Sequence, residues 1–111
     1  MNAPDARDWR AALKAFTDGL RALYGLRLHR VILYGSRARG DDVADSDVDT
    51  LVVLGDLEDS WQESKRIGPL ATRILVEHGV LITAVTATLR EAEESTASLF
   101  ANIRREGVRV A

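Results

Sequence analysis

"LYGSRARGDDVADSDVDTLVVL", Leu33 to Leu54, sets five aspartates, two arginines and a Gly-Ser step between two apolar runs. Those runs decide the fold. "LHRVILYG" reads as a strand over Leu28 to Tyr34, because a short β-branched and aromatic run stops at a glycine. "VDTLVVL", Val48 to Leu54, reads as a second strand of the same kind. Gly35 to Ser46 lies between them as a polar loop with room for a helical turn after Ser36.

Upstream, Trp9, Leu13, Phe16, Leu20 and Leu23 recur at spacings of three and four, one apolar stripe of a helix. Asp5 is placed to cap its start, with Asp8 three residues on, and Gly25 to end it. Downstream, Leu57 to Glu77 is helical in pattern, with Trp61 on its apolar stripe and Gly68-Pro69 expected to kink or split it. Gly79 closes that helix. "VLITAVT", Val80 to Thr86, alternates only weakly and is expected to be a third strand buried on both faces. Thr88 and Glu91 match a capping box for a helix from Leu89. A last helix near Ser98 to Glu106 carries Leu99, Phe100 and Ile103, as core or as a docking face, stops at Gly107 and leaves "VRVA" unassigned. The order implies an α/β (α+β) sandwich in a single domain over residues 1–111, a small mixed sheet of about three strands with helices packed against it.

Composition narrows the function. A chain of 111 residues has room for one modest core. It has no cysteine, which excludes disulfides and Cys-ligated zinc and fits a reducing cytoplasm. A net charge of -2 gives no reason to expect direct nucleic-acid binding. No apolar run approaches the roughly 20 residues that span a bilayer, and "MNAPDARDWR" does not read as a signal peptide. His29 and His78 stand alone and suggest no metal site.

Asp47 and Asp49 stand two residues apart at a strand start, so both carboxylates are expected on one face. Their α-carbons should lie about 6.5 Å apart, close enough for the carboxylates to share divalent cations. Like charges that close repel, and a cation relieves them. Gly35 lets backbone amides and the Ser36 hydroxyl approach a phosphate, and Arg37 and Arg39 add positive charge that pairs with phosphate oxygens. Asp41, Asp42 and Asp45 read as solvation of the loop. Carboxylates for metal beside donors for anions are what a metal-bound nucleotide triphosphate needs.

Gly35-Ser36, ten residues, then Asp47-Val48-Asp49 resembles the signature of the minimal nucleotidyltransferases, within the polymerase-beta-like superfamily. "YGSRARGD" and "SDVDTLVVL" are similar to the family's wording, except that Thr50 stands where an apolar residue is usual. The tail "LFANIRREGV" and the element order extend the resemblance more weakly along the chain. The resemblance implies a nucleotidyltransferase fold that binds ATP with magnesium and moves a nucleoside monophosphate to an acceptor hydroxyl. Asp47 and Asp49 would hold Mg2+; Gly35 and Ser36 would hold the triphosphate, with Arg37 or Arg39 assisting. It also implies a partner, since minimal members include antitoxins of small helical HEPN toxins, some of which transfer AMP to a toxin tyrosine.

One departure matters. Catalytic members often carry a third acidic residue on a later strand, and "VLITAVT" has none; Thr83 lies mid-strand where one would serve. Two readings follow: an adenylylating enzyme, or a degenerate module that neutralises its partner by complex formation. A small-molecule transferase would need an acceptor domain for which this chain has no room. A homo-oligomer is compatible with the amphipathic helices.

Overall fold

The computed structural model describes residues 8–42 and 46–111. Helix α1 spans Trp9–Tyr24, and a 3-10 turn over Gly25–Arg27 leads into β1, Leu28–Tyr34. A single turn, α2 (Ser36–Arg39), precedes β2 (Val48–Leu54), α3 (Ser60–His78) and β3 (Ile82–Ala87). The chain ends with α4 (Leu89–Glu94), α5 (Ser98–Glu106) and β4 (Val108–Arg109).

Among the described residues the sheet has four strands, one more than expected, in the order β3-β2-β1-β4. β1 runs antiparallel to β2 and to β4, while β2 and β3 are parallel and joined through α3. The extra strand comes from "VRVA": Val108 pairs with Leu33 and Arg109 with Ile32. Two residues are too few for a periodic signal, and only the open edge of β1 makes them a strand.

Alternation along β2 separates two cores. Val48, Val52 and Leu54 pack with Leu13, Phe16, Leu20, Ile67 and Ile74 from α1 and α3. Leu51 and Val53 pack with Ala92 and Ile103 from α4 and α5. So β2 is the strand covered on both faces, with Val48 and Thr50–Val53 fully buried. β3 was expected in that role, but it is an edge strand whose middle residues, Thr83 to Thr86, are half-buried.

Three further expectations change. Asp8 caps α1 by accepting from the Arg10 and Ala11 amides; Asp5 lies outside the described residues. Helix α3 runs through Pro69 without splitting. Gly68 has no Cβ to crowd the proline ring, and Ile67 and Ile74 anchor the helix on both sides of it. Trp61 is 67% exposed rather than core, with Lys65 Nζ 5.2 Å from its ring centroid. Trp61 falls at the start of α3, where Asp59 caps the helix by accepting from its amide. No described helix is long and apolar enough to cross a membrane.

Candidate nucleotide site

The site forms where β1 ends and β2 begins. After Tyr34 the backbone turns at Gly35 with φ 77° and ψ -158°, a region essentially reserved for glycine. Space imposes the same choice: a Cβ at Gly35 would collide with Asp49 Oδ2 and lie 3.3 Å from its Cγ. The Asp49 carboxylate therefore rests against the Gly35 turn. The amides of Ala38 and Arg39 both donate to the Gly35 carbonyl at 3.1 Å, closing α2 directly behind it.

Pairing places Asp49 between Tyr34 on β1 and Thr83 on β3. Thr83 Oγ1 donates to Asp49 Oδ1 at 2.8 Å. Thr50, fully buried, donates through Oγ1 to the Thr83 carbonyl at 2.8 Å. That bond accounts for a hydroxyl at a position where the resemblance leads one to expect an apolar side chain. Burial, and then the negative charge of Asp49, push the Tyr34 phenol up from its ordinary pKa. Asp47 is exposed, one residue before β2. Carrying the two-residue period of β2 back one step puts it on the face of Asp49.

The two arginines have partners inside the protein. Arg37 is only 7% exposed; it pairs with Asp42, donates from Nη2 to the Ser46 carbonyl at 2.9 Å and lies 5.4 Å from the Trp9 ring centroid. The guanidinium of Arg37 holds the Asp42 carboxyl below its ordinary value. Arg39 donates to Asp41 at 3.0 Å and to Glu106 at 3.1 Å. So Asp41 and Asp42, read from sequence as loop solvation, tie down the two arginines; Asp45 lies outside the described residues. Sequence reasoning missed Glu106 and Tyr34 as neighbours of the site, and only strand register and helix packing reveal them.

Asp47 and Asp49 are the two carboxylates that the sequence marks as candidate cation ligands. Carboxylate oxygens of this kind, one of them seated against the Gly35 turn, suit a hard cation that keeps waters and takes its other ligands from phosphates. Among the described residues no cluster of three or more His, Cys, Asp or Glu could hold a metal ion. The β3 side chain against Asp49 is a hydroxyl, Thr83, and not a carboxylate.

The nucleotidyltransferase domain family matches residues 13–96. A Methanocaldococcus jannaschii protein, provisionally named protein adenylyltransferase MJ0604, is 37% identical over 83 residues, 75% of this chain and 73% of that one. A solved structure described as a nucleotidyltransferase of Sulfolobus solfataricus superposes with a TM-score of 0.65 at 17% identity, covering 98% of this chain and 86% of that one. A toxin-antitoxin complex solved with AMP-PNP superposes with a TM-score of 0.61 at 19% identity, covering 86% and 69% of the two chains. The likeness runs through the strand-turn-strand unit that carries Gly35 and Asp49 and well beyond it on both sides, and the chain is a member of the nucleotidyltransferase domain family.

Proposed function

We propose that this chain binds ATP with magnesium at Gly35, Ser36, Asp47 and Asp49 and transfers AMP to a hydroxyl of a partner protein, as antitoxin to a HEPN-type helical toxin. The observation that carries the reading is the seating of Asp49 against the Gly35 turn, which brings a carboxylate and a glycine turn ahead of a helical turn to one point. The curated relative named for protein adenylylation and the toxin-antitoxin neighbour support the choice of acceptor class.

A magnesium ion held by Asp47 and Asp49 would neutralise triphosphate charge and polarise the α-phosphorus. The chain's own residues orient the reactants. Gly35 and Ser36 fix the phosphate tail, and Asp49 is aimed by its strand. The acceptor oxygen forms a bond to the α-phosphorus as the bond to pyrophosphate breaks, and the acceptor proton leaves to water or to a group of the partner. Arg37 braces the loop through Asp42, Ser46 and Trp9, and Arg39 meets phosphate on exchanging Asp41 or Glu106 for it.

A second reading, a binding module that neutralises without transfer, is favoured by one observation: the β3 side chain against Asp49 is a hydroxyl, Thr83, and not a carboxylate. The double variant Asp47→Asn with Asp49→Asn separates them. The enzyme reading expects loss of adenylate labelling and of neutralisation with the complex still formed. Full neutralisation by that variant would establish the module instead, and labelling that survives would discard the cation site.

A further inference from the structure

We propose that Thr83 is a positioning residue for Asp49: its hydroxyl holds one carboxylate oxygen so that the other faces the Gly35 turn, ready for a divalent cation arriving with a nucleoside triphosphate. The inference rests on the reading of Asp47 and Asp49 as the cation site. Three observations carry it. Thr83 is the register partner of Asp49 across parallel strands, and its Oγ1 donates to Oδ1 at 2.8 Å. The other oxygen, Oδ2, is the atom nearest the vacant Cβ position of Gly35. Thr50 donates to the carbonyl of Thr83 itself from a fully buried position, which fixes the edge strand at the residue that does the positioning.

A carboxylate is free to turn about its Cα–Cβ and Cβ–Cγ bonds, and each rotamer presents different oxygens. A hydrogen bond to the charged group is stronger than a neutral one and selects one rotamer. Thr83 does this without adding charge. A third carboxylate at the same point would bring another negative charge beside Asp49 and create its own demand for metal. The hydroxyl leaves two carboxylates, which a single dication balances. Groups that orient a metal ligand in this way typically contribute about 10–100-fold to metal affinity.

Calorimetric titration of Mn2+ into the full chain with AMP-PNP tests the proposal on wild type, Thr83→Ser, Thr83→Val and Asp49→Ala. Thr83→Ser keeps the hydroxyl and is expected to bind like wild type. Thr83→Val keeps the shape and the β preference; it is expected to lose about tenfold or more in Mn2+ affinity while still unfolding in one cooperative transition above the titration temperature. Asp49→Ala is expected not to bind. Wild-type affinity in Thr83→Val beside loss in Asp49→Ala overturns the positioning role and leaves the cation site standing. Equal weakening of Thr83→Ser and Thr83→Val overturns it as well, because shape rather than the hydroxyl would then matter. Wild-type binding by Asp49→Ala overturns the cation site and this proposal together.

Discussion

At Gly35 two requirements coincide on one residue, a backbone region closed to side chains and the oxygen of Asp49 where a Cβ would go. Gly35→Ala is expected to cost about 1–3 kcal/mol from the backbone alone and to displace Asp49; urea unfolding reads the first effect and nucleotide titration the second. Glu63 is a different case, a 5%-exposed carboxylate that the sequence hides in a polar helix. It accepts from the Tyr24 hydroxyl at 2.8 Å and from Arg27 Nη2 at 3.0 Å, joining α1 and the 3-10 turn to α3. Burial pushes the Glu63 carboxyl up, but the Tyr24 and Arg27 hydrogen bonds and nearby guanidiniums outweigh it, and the net shift is down from 4.5. A lowered carboxyl pKa adds stability that is present above the ordinary value and lost as pH falls through the folded one. Glu63→Ala is therefore expected to cost about 1–3 kcal/mol at neutral pH, mainly by stranding the buried Tyr24 hydroxyl. The gap to wild type should narrow once pH drops below 4.5, which denaturant melts across an acid series would show. The sequence displays Gly35, Asp47 and Asp49 because their spacing is local; it conceals Glu63 because its partners are far along the chain.

Elements whose ends are set by neighbouring residues were legible. The capping box of α4 forms as expected, with the Glu91 amide donating to Thr88 Oγ1 at 3.0 Å and the Thr88 amide to Glu91 Oε1 at 2.9 Å. Thr88→Ala is expected to cost about 1 kcal/mol, measured as a lower denaturation midpoint with an unchanged slope. β1, β2 and α5 also carry the boundaries that periodicity and glycine stops predict. α3 departs at Pro69 because packing through Ile67 and Ile74 outweighs a local penalty. β3 departs because burial on a sheet depends on position within it: an edge strand and a central strand share one composition, and only the pairing order tells them apart.

On the scale of the molecule, α1 and α3 cover one face of the sheet, while α4 and α5 cover the Leu51–Val53 end of the other. Asp49 and Thr83, at the opposite end of that second face, stay partly exposed. Their site joins β1, β2 and β3, so it exists only in the folded chain, and a ligand bound there stabilises the whole fold. ATP with magnesium at a hundredfold excess over its Kd should add about 2.7 kcal/mol and raise the melting temperature; ATP with a chelator should not, and equal shifts in both would remove the cation from the site. By itself the sequence determined what is set within a few residues of chain: the strands around the loop, the helix caps, and a Gly-Ser turn and an Asp-x-Asp pair at matching strand ends. Only the tertiary structure decided that Thr83 lies against Asp49, that Arg37 and Arg39 pair with their own loop and α5, and that "VRVA" completes the sheet. Each of those contacts depends on register and packing between distant segments, and the energy that selects a register is spread over the whole sheet rather than written at any one position.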